Sequence, residues 1–375
     1  MSAKKILVTG GAGFIGTNFI RHALEVRPDW QIINLDALTY AGNPANLESL
    51  PAAHAKRYRL LFGDIRDTKF LEKVFFEEKP DGVIHFAAES HVDRSIVGPE
   101  TFLETNVLGT FHLLESSLRF WDTSKKLGNF RFLHISTDEV YGSLGEKGLF
   151  TENTPYDPSS PYSASKAASD HFVKAFFRTY GLPTLITNCS NNYGPYQFPE
   201  KLIPLMILNI VENKPLPIYG DGKNIRDWLY VIDHCDALLK VFEEGELGET
   251  YNIGGGEEWE NLEIIQLLCD ILDARLTRAG KKSSRRLIRF VPDRPGHDRR
   301  YAIDASKIRR DLDWKPKYLF EKAIDLTVEW YLSHMDWVAS VRSGEYLTWI
   351  ETNYKNRGHK NGSIPRKSGR KGNTK

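Results

Sequence analysis

The sequence contains few cysteines. Cys189, Cys235 and Cys269 lie far apart among apolar neighbours and form no Cys-x-x-Cys pair. A dense disulfide framework is therefore not expected, and we predict that the three thiols are reduced and structural. No metal site is predicted.

Long apolar runs are also missing, and the net charge is close to zero. There is no stretch of about 18 apolar residues, and the amino terminus leads directly into a short strand-like run, so we expect a soluble, cytoplasmic protein without a membrane span. Lys and Arg total 50 against 49 Asp and Glu, which gives a net charge of +1. These totals do not indicate a nucleic-acid-binding protein.

The length of 375 residues is sufficient for two lobes with a substantial core. We predict a nucleotide-binding domain over residues 1–190 and a mainly substrate-binding lobe over residues 191–340, with some return of the chain to the first sheet. The tail 355–375 has eight Lys or Arg and no acidic residue, which predicts a disordered basic segment. Weak contact of this tail with nucleic acid or an anionic surface is the alternative.

A glycine-rich turn follows the first strand-like run. Residues 5–9 are apolar and lead to Gly11, Gly13 and Gly16 in the pattern G-x-G-x-x-G, after which a helical pattern begins. Such glycines allow a tight turn and a close approach of a pyrophosphate to the backbone. The next strand ends at Asp36, about 20 residues on, where a carboxylate would bind the adenosine ribose and repel a 2′-phosphate. The pattern predicts NAD rather than NADP.

Further strand and helix patterns alternate as far as about residue 190. Six alternations indicate βαβ units, so we predict an α/β fold with a Rossmann-type doubly wound parallel sheet and a smaller C-terminal α/β substrate-binding lobe. Asp64 follows one apolar segment and could accept a bond from an adenine amino group, although a surface turn is nearly as plausible. His91, Asp93 and Arg94 follow another segment and could bind ligand or form a surface ion network.

Two adjacent carboxylates follow a buried strand that ends near Ile135. Asp138 and Glu139 lie in the segment Ser-Thr-Asp-Glu-Val-Tyr-Gly, at the sheet edge where ligands bind in parallel α/β folds. The environment sets the pKa of each carboxyl separately, so one can stay protonated while the other is ionised. The pair is therefore a candidate acid and base, although most such pairs cap a turn or face water.

A tyrosine and a lysine occur downstream at helical spacing. Tyr162 and Lys166 form Tyr-x-x-x-Lys, which places a phenol and an ammonium group on one face of a helix. We expect the cation to lower the pKa of Tyr162, so that the phenol can take a proton from an alcohol. Beyond this helix, Lys201, Arg226 and Arg294 are cations near turns that could bind a diphosphate, although each alone is more often a solvated surface charge.

These motifs together resemble the extended short-chain dehydrogenase/reductase family of nucleotide-sugar enzymes, and within it the dTDP-glucose 4,6-dehydratases. The Gly-rich turn and Tyr-x-x-x-Lys are common to the family, whereas Ser-Thr-Asp-Glu-Val-Tyr-Gly points to the dehydratase branch. The segment from Ala87, the segment from Asn191 and Asp-Arg-Pro-Gly-His-Asp from Asp293 are similar to the same branch. The resemblance covers residues 5–337, and the basic tail departs from it.

The resemblance implies a role for each matching residue. Tyr162 would deprotonate the sugar 4-hydroxyl while hydride leaves C4 for NAD, with Lys166 holding the phenol and Thr137 bonding the same oxygen. Glu139 would remove the C5 proton and Asp138 would protonate the departing C6 hydroxyl, before hydride returns to C6. The residues implied to bind NAD are Gly10, Gly13, Phe14, Ile15, Gly16, Asp36, Leu38, Thr39, Asp64, Ile65, Ala87, Ala88, Ser90, Thr105, Tyr162, Lys166 and Asn191. The residues implied to bind the nucleotide sugar are Ser90, Thr137, Asn192, Lys201, Leu202, Pro217, Tyr219, Arg226, Asn261, Arg294 and His297.

Several alternatives remain open from the sequence. The choice of dTDP over UDP rests on the resemblance alone, and a nucleotide-sugar 4-epimerase or decarboxylase would use the same tyrosine and NAD without dehydration. A catalytically silent NAD-binding scaffold is a possibility from another class, against which the intact Asp138, Glu139, Tyr162 and Lys166 argue. Family members are commonly homodimers, here through the helices that begin near Thr101 and Tyr162.

Overall fold

The computed structural model describes residues 4–124, 128–276, 282–293 and 295–342. The basic tail 355–375 and Arg294 lie outside these described residues. The strands are β1 Lys4–Thr9, β2 Trp30–Asp36, β3 Tyr58–Phe62, β4 Gly82–His85, β5 Arg131–Thr137, β6 Thr184–Cys189, β7 Asn191–Tyr193, β8 Leu216–Tyr219, β9 Ile225–Tyr230, β10 Thr250–Ile253, β11 Glu258–Glu260 and β12 Ile288–Val291.

Helices connect these strands. They are α1 Phe14–Val26, α2 Ala45–Glu48, α3 Ala52–Ala55, α4 Thr68–Glu78, α5 Val92–Val97, α6 Pro99–Phe102, α7 Thr110–Thr123, α8 Pro161–Tyr180, α9 Leu202–Val211, α10 Val231–Glu244, α11 Asn261–Arg275, α12 Ser306–Leu312, α13 Phe320–Ser333 and α14 Met335–Val341. A π-helical segment, Leu103–Gly109, joins α6 to α7, and Asp138–Tyr141 and Ser284–Leu287 are single 3₁₀ turns. Among the described helices, none has the length and apolar character needed to cross a lipid bilayer.

Seven parallel strands form the central sheet, in the order β10-β6-β5-β4-β1-β2-β3. The order reverses beside β1, and the apolar residues of β1, β4 and β5 are buried on both faces because helices cover the sheet from both sides. The predicted α/β fold with a doubly wound parallel sheet is thereby confirmed.

Two helix layers cover the sheet. On one face Phe19 and Ile20 of α1 and Leu238 of α10 belong to the same core cluster as Ile6 and Val8 of β1. The other face packs against α4, α7 and α8, whose apolar residues join the core formed by alternate residues of the strands. This alternation follows from the two-residue side-chain period of a strand.

A smaller lobe follows β6 in the chain. Helix α9 is apolar on all sides and is buried from Ile203 to Ile210, so it forms the centre of a separate core with α11 and α13. Two small sheets, β11-β9-β7 and β12-β8, lie in this part of the chain. The chain also returns to the large sheet, where β10 pairs with β6.

Candidate active site

A groove with a volume of about 380 Å³ runs along the carboxyl ends of the central strands. The loops after β1, β2, β3 and β4 line one part of it, and the end of β5 together with the first turns of α8 lines another. Residues 189–192, 196–198, 200 and 201 line the side of the smaller lobe. The site therefore lies at the sheet edge where parallel α/β proteins bind ligands.

The turn between β1 and α1 forms a cradle for a phosphate group. Gly10 has a φ of +72°, and a Cβ there would lie 2.5 Å from the backbone nitrogen of Ala87. A Cβ on Gly16 would lie 2.4 Å from the carbonyl oxygen of Gly10. At Gly13, the amino end of α1, no side chain of the described residues caps the helix. The exposed N–H groups and the helix dipole therefore suit a diphosphate, so these residues fit the pyrophosphate of a dinucleotide.

The carboxylate of Asp36 lies at the end of β2 and is fixed by the neighbouring backbone. Its Oδ2 accepts a hydrogen bond of 2.8 Å from the Ala12 amide and its Oδ1 accepts one of 2.8 Å from Leu38. Burial raises the pKa of Asp36, while these two bonds oppose the rise. Asp64 also lines the groove, and the Arg66 guanidinium donates to its Oδ2 at 2.8 Å. An acid at each position suits the hydroxyl and amino donors of an adenosine.

The end of β5 places Thr137, Asp138 and Glu139 in the groove. Thr137 is extended, and the chain then turns into one 3₁₀ turn, where the Glu139 amide donates to Thr137 Oγ1 at 3.3 Å. Thr137 Oγ1 donates in turn to Asp138 Oδ1 at 3.3 Å. The two carboxyls therefore leave the same strand end in different environments, Asp138 being 2% exposed and Glu139 only partly buried.

The environment of Asp138 favours its protonated form. Burial raises the pKa of this carboxyl well above its ordinary value, and the nearby charges of Glu139 and Asp227 raise it further, while Arg226 opposes them. A neutral carboxyl can donate a proton, as expected of a general acid. The geometry thus agrees with the predicted division of the pair into an acid and a base.

Tyr162 lies at the start of α8 with its phenol in the groove. The amino end of this helix is stabilised, because Ser160 and Ser163 form a capping box and Pro161 occupies the first turn. The expectation of a lowered tyrosine pKa is wrong for this structure. Burial raises the pKa of Tyr162 well above 10, Glu139 and Cys189 add to the rise, and the hydrogen bond with Thr137 only partly opposes it. Loss of hydration therefore outweighs any effect of the lysine one turn away.

Lys166 is buried one turn further along α8. Its Nζ donates a 2.8 Å hydrogen bond to the carbonyl oxygen of Ile135, and it lies 3.3 Å from Nε2 of His134. Burial lowers the pKa of Lys166 to about 8, although the charge of Asp170 opposes this. The ammonium is therefore held against β5, the strand that ends at Thr137.

The loop after β4 is held by buried polar contacts. Asn106 accepts a 2.8 Å bond from the Glu89 amide and donates to the Glu89 carbonyl at 2.9 Å, so its side chain satisfies two backbone groups of the loop. His91 and Arg94 lie 3.6 and 3.5 Å from the carboxylate of Glu200. Since Glu200 is 3% exposed, this ion network is buried rather than on the surface.

Most of the predicted site residues meet in the groove. Those that line it are Gly10, Gly13, Phe14, Ile15, Gly16, Asp36, Thr39, Asp64, Ile65, Ala87, Ala88, Ser90, Thr105, Thr137, Asp138, Glu139, Tyr162, Lys166, Asn191, Asn192 and Lys201. Leu38 contributes its amide to Asp36. Leu202, Pro217, Tyr219, Arg226, Asn261 and His297 are not among the lining residues, so their binding roles stay predictions.

Several of these remaining residues contact each other or the walls of the site. The Tyr219 hydroxyl donates to Asp93 at 3.1 Å, and its ring meets that of His297 edge to face. The Arg226 guanidinium lies 4.3 Å from the centre of the Tyr301 ring and donates to the carbonyl oxygen of Asp298 at 2.9 Å. Of these contacts, the bond between Tyr219 and Asp93 links the smaller lobe to α5.

Some groups in and behind the site are not evident from the sequence. Tyr40 and Phe198 line the groove and pack edge to face with ring centres 5.6 Å apart, which links the loop after β2 to the smaller lobe. Nothing local in the sequence connects two residues so far apart. Asp170 was also missed, although it follows Tyr162 and Lys166 at the same four-residue interval and therefore shares their helix face.

Comparison with known proteins agrees with this geometry. The family model described as GDP-mannose 4,6 dehydratase matches residues 7–327. The dTDP-glucose 4,6-dehydratase of Salmonella typhimurium is 56% identical over 94% of this chain and 99% of its own. A crystal structure of the dTDP-glucose 4,6-dehydratase of Bacillus anthracis in complex with NAD is 45% identical, with a TM-score of 0.79 over 90% of this chain and 100% of its own. The enzyme DesIV of Streptomyces venezuelae, with NAD and TYD bound, is 45% identical, with a TM-score of 0.81 over 90% of this chain and 99% of its own.

The match to the family model spans residues of both lobes, including the end of β5. The identity is high and each relative is covered almost completely. The chain therefore belongs to the dTDP-glucose 4,6-dehydratases, within the extended short-chain dehydrogenase/reductase family.

Proposed function

We propose that this chain is an NAD-dependent hydro-lyase that converts dTDP-glucose into dTDP-4-keto-6-deoxyglucose and water. The observation that carries the proposal is the contrast at the end of β5. Asp138 is buried with a raised pKa, and its chain neighbour Glu139 is more accessible in the same groove. Elimination of water needs both a proton donor and a proton acceptor at adjacent carbons, which this pair supplies.

The residues that would hold NAD follow the groove from the glycine turn to the catalytic strand. Gly10, Gly13 and Gly16 accommodate the diphosphate, Asp36 the adenosine ribose, and Lys166 the nicotinamide ribose. When bound, NAD supplies the acceptor for the C4 hydride and the donor that returns it to C6. The cofactor is thus regenerated within each turnover and need not leave the groove between cycles.

Tyr162 takes the proton of the sugar 4-hydroxyl. Its phenol must be ionised for this step, which burial opposes in the structure described. We assign the offsetting positive charge in the loaded site to Lys166, one turn away on the same helix face. Thr137 donates to the same sugar oxygen and is already hydrogen-bonded to the phenol. The hydroxyl is thereby oriented for loss of hydride from C4.

The 4-ketone so formed makes the C5 proton acidic, so a carboxylate is a sufficient base. Glu139 takes the C5 proton, and Asp138 gives a proton to the departing C6 hydroxyl, which leaves as water. Return of hydride to C6 and of a proton to C5 completes the 4-keto-6-deoxy sugar. The proton from the 4-hydroxyl and the C6 hydroxyl together account for the water released.

The nucleotide part of the substrate extends away from the catalytic strand. We assign it to the smaller lobe, with Lys201, Arg226 and Arg294 near the diphosphate, in keeping with the division into residues 1–190 and 191–340. Ser90, Asn192, Leu202, Pro217, Tyr219, Asn261 and His297 are proposed as further contacts. These assignments follow the family resemblance.

We further propose that the protein acts as a homodimer in the cytoplasm. Val97, Leu103, Leu108 and Phe172 are exposed apolar side chains on α5, α8 and the π-helical segment, where a helix pair would bury them. All three cysteines are buried and unpaired, as expected in a reducing compartment. Sedimentation of the parent protein and of Leu108→Arg, with Phe62→Arg as the control, tests the dimer: only the first variant is expected to lose it.

Mass spectrometry of a reaction with dTDP-glucose tests the activity. Loss of one water from the nucleotide sugar supports dehydration, whereas an unchanged mass with altered stereochemistry at C4 supports an epimerase and contradicts our proposal. Parallel assays with UDP-glucose and other nucleotide hexoses determine the nucleotide preference. We expect the dTDP sugar to be consumed fastest.

A further inference from the structure

A buried polar cluster lies behind Lys166, on the side away from the groove. It consists of His134 on β5, Asp170 on α8 and their hydrogen-bond partners, and neither His134 nor Asp170 lines the groove. Both side chains have no exposed surface. The proposed reaction gives them no role, although buried ionisable groups are costly unless they are paired.

The cluster joins Lys166 to Asp170 through one ring atom. Nε2 of His134 lies 3.3 Å from the Lys166 ammonium and 3.2 Å from Oδ1 of Asp170. The other carboxylate oxygen, Oδ2, accepts hydrogen bonds of 2.9 Å from the hydroxyls of Ser136 and Tyr156. Asp170 is thus fixed by two donors, and its remaining oxygen faces the histidine and the lysine.

Asp170 is the counter-ion of Lys166, because the other titratable groups that face this lysine are neutral. Burial lowers the pKa of His134 and of His85 well below 6.5, so both imidazoles are neutral. Burial raises the pKa of the Cys189 thiol, which faces Lys166 from β6, so it too is uncharged. The phenols of Tyr141, Tyr156 and Tyr162, which also face this region, have raised pKa values and carry no charge near neutral pH.

Lys174 is the other cation near Asp170 on α8, and burial lowers its pKa. Burial raises the pKa of Asp170 to about 6 and lowers that of Lys166 to about 8. Between these two values both groups are ionised. Each charge supports the other, and Lys174 adds a second positive charge near Asp170.

We propose that Asp170 is a positioning residue for the dehydratase reaction, whose carboxylate acts across the His134 ring to keep the Lys166 side chain charged and fixed behind Tyr162. The catalytic role of Asp170 rests on the proposed function, whereas its interaction with Lys166 is present in the structure whatever reaction the chain catalyses. Both charged groups contact the same ring atom, Nε2 of His134. Among the described residues the Lys166 ammonium has no direct ion pair, and after its bond to Ile135 and its contact with His134 a third N–H remains for the groove.

Asp170→Asn tests the proposal, since the amide has the same shape and can still accept hydrogen bonds from Ser136 and Tyr156. The protonation of Lys166 is followed directly by NMR of NAD-loaded protein with ¹³C-labelled lysine, with the Lys166 signal identified by its loss in Lys166→Met. We expect Lys166 to titrate near pH 8 in the parent. In Asp170→Asn the midpoint should fall by about one pKa unit, because an opposite charge has been removed.

Tyr156→Phe is the matched control. It removes one hydrogen bond from the Asp170 carboxylate but leaves the negative charge, so the Lys166 midpoint should stay near that of the parent. A merely structural role for Asp170 predicts that both variants lose stability and that neither shifts the lysine titration. An unchanged Lys166 midpoint in Asp170→Asn would overturn the proposal.

The pH profile of turnover provides the second readout. The alkaline limb of kcat should move to lower pH by about one unit in Asp170→Asn, because the active, charged lysine is lost earlier as pH rises. If Asp170→Asn does not fold, Asp170→Ser provides a second neutral variant for both measurements. Inactivity of the parent with dTDP-glucose would refute the proposed function, while the lysine titration would still decide the role of Asp170.

Discussion

Asp138 is almost completely buried, whereas its chain neighbour Glu139 remains partly accessible from the same groove. A single 3₁₀ turn after β5 produces this difference, since successive side chains leave it in different directions. Two carboxyl groups that are adjacent in the sequence can therefore hold different protonation states at one pH. The following predictions depend on that arrangement and on the loops around it.

Glu139→Gln should prevent dehydration while leaving oxidation at C4 possible. The amide cannot accept the C5 proton, so we expect product formation to fall by about 10²–10⁴-fold. Bound NADH should still accumulate transiently after dTDP-glucose is added, and its absorbance measures this. Glu146→Gln, an exposed change nearby, is the control and should behave like the parent. Dehydration at the parent rate in Glu139→Gln would show that the base is another group.

Asp138→Asn should remove the proton donor for the departing hydroxyl. The neutral amide replaces the protonated acid with little change in shape, and turnover should fall by about 10²–10⁴-fold. A substrate with fluoride in place of the 6-hydroxyl should restore much of the rate, because fluoride leaves without a proton. If the fluoro substrate is as slow as dTDP-glucose, Asp138 does not act as the acid.

The raised pKa of Asp138 also predicts a direction for the pH dependence. Burial first, and then the charge of Glu139, shift the pKa of Asp138 upward, so the protonated and active form persists to a higher pH than in an ordinary aspartic acid. Activity should be lost as pH rises through the shifted pKa rather than as pH falls through it. A profile of kcat against pH in the parent measures this. If kcat is lost as pH rises through the ordinary pKa of an aspartic acid, the assignment of Asp138 as the acid is contradicted.

Gly10→Ala should weaken retention of NAD. A Cβ at this position would lie 2.5 Å from the Ala87 nitrogen, and the φ of +72° is unfavourable for alanine. We expect purified protein to contain much less bound nucleotide, measured by release on denaturation, and to unfold at a lower temperature. Gly145→Ala is the matched control, since a Cβ there would meet no atom within 4 Å. Equal nucleotide content in both variants would contradict the cradle.

Asn106→Ala should loosen the loop after β4. It leaves the Glu89 amide and carbonyl without their side-chain partners, and each unsatisfied buried group costs about 1–3 kcal/mol of stability. Because Glu89 and Ser90 line the groove, KM for the nucleotide sugar should rise as well. Thermal unfolding and steady-state kinetics measure the two effects, with the exposed Asn153→Ala as the control. An unchanged KM would show that this loop does not contribute to substrate binding.

Local patterns in the sequence were sufficient for the features that depend on local structure. The strand, Gly-rich turn and helix around Gly10 to Gly16 occur as predicted, because glycine spacing and apolar periodicity act within a few residues. The same holds for Tyr162 and Lys166, whose i, i+4 spacing places them together on α8. The apolar run before it likewise predicted that this strand ends near Ile135, and β5 ends two residues later at Thr137.

Features that depend on distant contacts were not predictable in this way. The spacing of Tyr162 and Lys166 suggested a lowered tyrosine pKa, but burial, which no local pattern reports, raises it. The contact between His134 and Asp170 joins β5 to α8, and Glu200 meets Arg94 from the other lobe. The π-helical segment Leu103–Gly109 likewise has no simple sequence signal.

The pairing of β10 with β6 means that the outermost strand of the nucleotide-binding sheet is supplied by residues 250–253. A fragment truncated at residue 190 would expose an unprotected, apolar strand edge, which is prone to aggregate with other chains. Folding of the first lobe thus depends on a strand from the later part of the chain. Expressing either half alone is expected to give insoluble material.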